Sequence, residues 1–149
     1  MKQKQSYLII AALSLSLAAL DRLVKWLVVT WLPGKTEILP YFSLNNAHNS
    51  GIAWSVPVPQ LILLPVSLIL IVLIPYLAVT NLNLNKKTTQ LAVSLLIGGG
   101  LGNIYDRIFQ GYVTDYISVG AWPVFNLADA FLTTGIFIIL VFYAKIKRV

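Results

Sequence analysis

Cysteine is absent from this chain. That excludes disulfides, thiolate metal sites and a cysteine nucleophile, and the chain is not expected to be a lipoprotein anchored through its own cysteine. Histidine is almost as scarce: His48 stands alone, so a multi-histidine metal site cannot be built, and no metal or cofactor is expected. Acidic residues are the third scarcity. Five of them face 11 lysines and arginines, for a net charge of +6 in 149 residues. Glu37 sits in an ordinary loop. Asp21, Asp106, Asp115 and Asp129 lie inside or against strongly apolar segments. An ionised carboxylate at the centre of a bilayer costs roughly 2.5–3.5 kcal/mol on insertion scales, so it is retained where it has a partner, water or a chemical task.

What is abundant is hydrocarbon. The chain is 58% hydrophobic and 11% charged, with mean hydropathy +0.80, far from an ordinary soluble domain. Its length suits one unit over 1–149 with no second domain. A spanning helix needs about 20 mainly apolar residues, and four segments qualify, at about 6–31, 60–80, 88–108 and 126–144. The first begins like a signal peptide. Its apolar run resumes after Lys25 without an Ala-x-Ala site, so it reads as a retained span. Pro65 and Pro75 are expected to kink or locally open the second span. Connections at about 32–59 and 109–125 are the long ones, and short alternation between Thr36 and Ser55 suggests β-structure there. The expected fold is therefore all-α membrane: four transmembrane helices with a small extracytoplasmic β-containing segment on the outer surface.

The basic residues form no continuous patch, so nucleic acid is not an expected partner. Seven of them (Lys2, Lys4, Lys86, Lys87, Lys145, Lys147 and Arg148) flank apolar segments at the two ends of the chain and in the Asn81–Lys87 loop, whereas the long connections carry only Lys35. The positive-inside rule then places both termini in the cytoplasm and both long connections outside. Tyr41, Phe42, Trp54, Tyr112, Tyr116 and Trp122 in those connections are residue types that favour the headgroup zone. At roughly 1.5 Å per helical residue, this topology brings all four aspartates to one layer near the outer interface. Asp115 and Asp129, 14 residues apart, are the pair to examine for chemistry.

Each polar motif has a structural and a chemical reading. Asp21 and Lys25 share a helix face and can pair, which neutralises charge within a span as well as supporting a site; Arg22 between them reads as a snorkelling side chain. His48-Asn49-Ser50-Gly51 is a turn sequence, while Asn49 also offers two donors to a peptide backbone; His48 reads as a surface residue. Gly98-x-x-x-Gly102 is a close helix-packing pattern and lacks the features of a nucleotide loop. Asn103 and Arg107 lie one turn apart, with Arg107 free to hold a carboxylate or carbonyl away from Asp106. Asn126-Leu-Ala-Asp129 resembles a capping box. Capping alone explains neither Asp115 nor the polar residues at the same depth. Two carboxylates in a poorly solvated site do not both ionise easily: one holds a proton and the other polarises water, as in an aspartic protease.

Five blocks together resemble the signal peptidase II (prolipoprotein signal peptidase) family: Asp21-Arg-Leu-Val-Lys25, Asn49-Ser-Gly51-Ile-Ala53-Trp54, Gly98-Gly-Gly-Leu-Gly102-Asn103-Ile-Tyr-Asp106-Arg107, Gly111-Tyr-Val113-Thr-Asp115-Tyr116 and Phe125-Asn126-Leu-Ala128-Asp129. They occur in the family's order. Arg22, Ile52 and Tyr116 depart from its common residues, and the Asp115–Asp129 connection is somewhat short; neither aspartate is lost. The resemblance implies an inner-membrane aspartic endopeptidase that removes the signal peptide from diacylglyceryl-modified prolipoproteins just before the lipidated Cys. It implies Asp115 and Asp129 as the catalytic pair, Asn49, Gly51, Asn103, Arg107 and Asn126 around the substrate, and Asp21, Lys25 and Asp106 in support. The partners expected are that substrate and membrane lipid, and the protein is expected to be a monomer in the bacterial inner membrane. Two other classes remain to be weighed. One is a small transporter or proton pathway built on intramembrane aspartates, although no internal repeat is seen. The other is a non-catalytic assembly subunit associating through Gly98-x-x-x-Gly102.

Overall fold

The computed structural model describes residues 2–32, 34–52, 56 and 58–148. Ala53 and Trp54, part of the family block and of the interfacial aromatic set, lie outside the described residues. The elements run α1 (Lys2–Trp31), β1 (Thr36–Leu39), β2 (Phe42–Asn49), α2 (Gln60–Asn81), α3 (Lys87–Phe109), β3 (Val113–Val119) and α4 (Leu127–Ile146). These helices cover the four apolar segments. α2 continues through Pro65 and Pro75 as one helix of 22 residues.

α3 is the central helix, packed on α1, α2 and α4. Its glycines make that position possible. A Cβ at Gly98 would lie 2.7 Å from Leu17 Cβ of α1, and one at Gly99 would lie 2.5 Å from the Ala128 carbonyl of α4. The sequence Gly98-x-x-x-Gly102 thus faces α1 closely, as a small-residue stripe does in membrane helices. From the other side, Gly135 of α4 brings its backbone against the Ala92 carbonyl and Leu96.

α1, α2 and α4 are each long and apolar enough to cross a membrane. α3 has the length, 23 residues, but is less apolar. It buries 13 residues, among them Thr89, Gln90, Ser94, Asn103 and Asp106. A helix enclosed by protein has no need of hydrocarbon on every face, because its polar groups meet other side chains rather than lipid. The outer helices show the converse: Leu61 and Val72 of α2 and Leu140 of α4 are highly exposed.

Chain contacts sort the two ends of the bundle. At one end Ser6 bonds to Asn85, Gln90 bonds to Ser6, and the Asn83 amide donates to the Ile146 carbonyl at 2.7 Å. There a small core of Ile10, Ala78, Leu82, Leu84, Val93 and Ile146 forms, and Lys86 Nζ donates to the Lys145 carbonyl. At the other end stands an antiparallel three-stranded sheet in the order β1-β2-β3. β2 and β3 pair with Ala47 opposite Asp115, His48 opposite Thr114 and Asn49 opposite Val113. That register brings Asn49 beside Asp115. An irregularity between Leu44 and Ala47 interrupts it, the usual way a strand re-aims side chains next to a site.

Two sequence expectations need correction. Tyr116 is not an interfacial aromatic: it is 4% exposed, and its hydroxyl accepts a hydrogen bond from the Leu127 amide at 3.2 Å. Burial pushes its phenol pKa up, so it stays neutral. Arg22 does not simply snorkel. It pairs with Asp106 Oδ1 at 3.0 Å and lies over the Tyr105 ring.

Candidate active site

The site forms where the N-terminus of α4 meets β3 and the C-terminal half of α3. Asn126 is the N-cap of α4. Its side-chain oxygen accepts from the Asp129 amide at 2.9 Å, and Asp129 Oδ2 accepts from the Asn126 amide at 3.3 Å. This is the reciprocal capping box anticipated from Asn126-Leu-Ala-Asp129, and it fixes the Asp129 carboxylate at the positive end of the helix dipole. The Asn126 amide nitrogen is left to point the other way. It donates to Asp115 Oδ1 at 2.7 Å and to Asn103 Oδ1 at 3.1 Å. One side chain therefore spans from one aspartate to the other.

Each carboxylate has a second amide. Asn49 Nδ2 donates to Asp115 Oδ2 at 2.9 Å, and Asn103 Nδ2 donates to Asp129 Oδ1 at 2.8 Å. The turn and donor readings of Asn49 are both realised, because its oxygen accepts from the Gly51 amide at 2.9 Å while its nitrogen serves Asp115. Gly51 itself is buried. Asp115 is 3% exposed. Burial pushes its pKa up to about 6; hydrogen bonds from Asn49 and Asn126 and the charge of Lys25 oppose this, and the charge of Asp129 adds to it. A carboxyl in that range is half protonated near pH 6, well above the ordinary carboxylate range.

Behind the pair lies a buried ionic cluster. Lys25 Nζ sits 2.8 Å from Asp21 Oδ2, 2.9 Å from Asp106 Oδ2 and 3.0 Å from Asn103 Oδ1. Asp21 Oδ1 accepts from the Ala128 amide at 3.0 Å, tying α1 to the first turn of α4. Gly102 makes room for it, since a Cβ there would meet Asp21 Oδ2 at 2.5 Å. Asp106 also takes the Thr114 amide at 3.2 Å and Gln110 Nε2 at 2.9 Å, anchoring β3 on α3. Thr114 and Gln110 had no sequence signal of their own, because one acts through its backbone and the other is an ordinary polar residue at a helix end.

A groove of about 580 Å³ opens on the pair, lined by Asn49, Asn103, Arg107, Asp115 and Asp129 together with Val124, Phe125 and Leu132. An apolar slot of about 260 Å³ adjoins it between α2, α3 and α4, lined by Leu70, Ile71, Ile74, Ile104 and Leu132, and shares Ile52, Asn103, Arg107 and Asp129 with the groove. Arg107 stands at that junction. Its Nε is buried without a hydrogen-bond partner among the described residues, while Asp106 is engaged by Arg22, Lys25, Gln110 and the Thr114 amide. His48 is exposed and stacks on Tyr112, ring centroids 4.0 Å apart.

Paired carboxylates, each held by amides, on a groove at one end of an apolar helical bundle define the class of a membrane-embedded aspartic hydrolase. The chain belongs to the signal peptidase II family: the family model described as Signal peptidase (SPase) II matches residues 13–145. It is 37% identical over 133 residues to the lipoprotein signal peptidase of Bartonella tribocorum, covering 83% of this chain and 79% of that protein. It is 32% identical to the lipoprotein signal peptidase of Francisella tularensis subsp. novicida, covering 94% and 92%. Among solved structures, a bacterial membrane enzyme determined by the in meso method at 2.3 Å matches with a TM-score of 0.80 and 26% identity, covering 95% of this chain and 88% of that one. Membership in this aspartic peptidase family favours hydrolysis over the transporter and assembly-subunit readings.

Proposed function

We propose that this protein removes the signal peptide from diacylglyceryl-modified prolipoproteins just before the lipidated Cys, with Asp115 and Asp129 as the catalytic pair. The observation that carries the reading is Asn126, whose side-chain nitrogen donates to the Asp115 carboxylate while its side-chain oxygen accepts from the Asp129 backbone amide, so that one residue ties together two aspartates that line the same groove. Asp115, with its pKa pushed up to about 6 by burial, holds the proton. Asp129, at the positive end of α4, is the ionised base. As water attacks the scissile carbonyl carbon, its proton passes to Asp129 and the proton of Asp115 passes to the carbonyl oxygen. When the C–N bond breaks, Asp129 returns its proton to the leaving nitrogen and Asp115 recovers its own from the hydroxyl.

The two cavities suit the two parts of such a substrate. The polar wall offers amides and Arg107 to a peptide backbone, and the apolar slot suits hydrocarbon. Arg107, with an unused donor at the junction, is placed to hold a substrate carbonyl, and Asn49, Gly51 and Asn103 shape the same wall. The chain works as a monomer in the bacterial inner membrane, surrounded by lipid. α3 serves as the fourth span, both termini are cytoplasmic, and the sheet and site lie at the outer interface. In support of this, Lys86, Lys87, Lys145, Lys147 and Arg148 lie at the bundle end opposite the sheet. The direct test is a gel shift: purified protein added to a lipid-modified precursor releases the signal peptide, whereas the same precursor without lipid or with Asp129→Asn enzyme stays intact. An unprocessed lipid-modified precursor would overturn the assignment.

A further inference from the structure

Lys25 is completely buried, yet it touches neither the groove nor either catalytic carboxylate. Its ammonium carries three protons and meets three acceptors: Asp21 Oδ2, Asp106 Oδ2 and Asn103 Oδ1. Two of these balance charge. The third does not need a cation at all, and it is the one that leads to the site.

The two ends of an asparagine amide have almost the same shape, so packing alone does not choose which end faces where. Asn103 lies between Lys25 and Asp129. If its amide were turned over, it would offer an oxygen to the Asp129 carboxylate and lose a strong hydrogen bond. An ammonium has donors only, so whatever faces Lys25 Nζ must be the oxygen. The nitrogen is then on the Asp129 side, at 2.8 Å. The same oxygen accepts from Asn126 Nδ2, which leaves the Asn126 oxygen for the Asp129 amide. One buried charge thereby sets the polarity of both amides.

We propose that Lys25 is a positioning residue of the aspartate pair, orienting the Asn103 amide so that its nitrogen always donates to Asp129. This rests on the peptidase reading of the pair. The competing role is neutralisation of Asp21 and Asp106, which would support the fold and nothing more. Other charged groups surround the pair: Arg107 of α3 interacts with both carboxylates, and Asp21 and Arg22 of α1 and Asp106 of α3 belong to the cluster behind it. β2 brings the titratable His48, stacked on Tyr112, and β3 brings Tyr116 beside Asp115 itself.

The test compares Lys25→Met/Asp21→Asn with Asp21→Asn alone. Removing the ammonium together with one carboxylate leaves Asp106 with Arg22, so no uncompensated charge is buried. For cleavage of a lipid-modified precursor, the double variant should lose kcat at least about tenfold with KM nearly unchanged. Its acid limb should move up by about one pH unit, since losing an N–H donor disfavours an ionised carboxylate. Asp21→Asn should keep the wild-type limb. An unmoved limb in the double variant, with activity falling only in step with thermal stability, would overturn the proposal. A second readout needs no cleavage: in 15N-asparagine-labelled protein, the Asn103 side-chain amide, assigned by its loss in Asn103→Ser, should respond to titration of the pair in the wild type and lose that response in the double variant. An identical response in both overturns the positioning role. A wild type that does not cleave, but whose Asn103 amide behaves as expected, overturns the peptidase reading alone.

Discussion

Asn126 and Asp129 cap one another, the Asp129 amide donating to Asn126 Oδ1 at 2.9 Å and the Asn126 amide donating to Asp129 Oδ2 at 3.3 Å. A capping role and a catalytic role are usually weighed as alternatives for an acid three residues into a helix. Here the two are compatible, because each carboxylate oxygen has its own partner: Oδ2 closes the cap while Oδ1 takes the amide of Asn103. The cap holds the Asp129 carboxylate in place, which is the preorganisation the proposed base requires.

Asp115→Asn and Asp129→Asn are each expected to abolish nearly all precursor cleavage while leaving membrane abundance close to wild type. Asparagine keeps the size and one acceptor oxygen, but it is no general base. The double variant should be scarcely worse than either single one, because the pair acts as a unit. Comparable cleavage by Asp129→Asn and wild type at equal abundance would mean that Asp129 is a cap and nothing else.

Asn126→Ala should damage stability and activity together. It removes the cap and the amide shared by Asp115 and Asn103, for a stability loss of about 1–2 kcal/mol. Asn126→Asp separates the two effects: it restores a capping oxygen but brings a carboxylate where Asp115 needs a donor. Thermal unfolding in detergent should recover toward wild type in Asn126→Asp, whereas cleavage should not. Recovery of both would remove Asn126 from the site.

Burial raises the Asp115 pKa from the ordinary 3.8 to about 6, so the folded protein favours the neutral acid. Its contribution to stability is full below pH 3.8 and is lost as pH rises through about 6, amounting to on the order of 3 kcal/mol. Slopes from other groups are shared with Asp115→Asn, which cannot ionise. The difference in thermal midpoint between wild type and Asp115→Asn should therefore change across pH 4–6, the wild type losing ground as pH rises. Parallel curves would show that Asp115 is not held neutral by burial.

Reporter fusions after Lys87 and after Val149 should report a cytoplasmic location, and one after Glu37 an external one. The basic residues at the α2–α3 loop and the C-terminal tail motivate this orientation. An external C-terminal reporter would overturn it.

By itself the sequence determined much of this protein. The four apolar segments, their small-residue stripe at Gly98-x-x-x-Gly102 and the Asn126–Asp129 cap are local patterns, and local patterns survive folding unchanged because they depend on residues one to four apart. The family blocks carried the proposed site residues for the same reason, as short strings in order. Only the tertiary structure decided the rest. Sequence spacing cannot say that α3 is the enclosed helix, because enclosure depends on which neighbours approach its glycines. It cannot see that Tyr116 is buried or that Arg22 reaches Asp106, since both contacts join residues far apart in the chain. Above all, Lys25, Asn103, Asn126, Asp129 and Asp115 form one chain of donors and acceptors only when α1, α3, β3 and α4 meet. Hydrogen bonds have direction, and direction between distant segments exists only in the folded molecule.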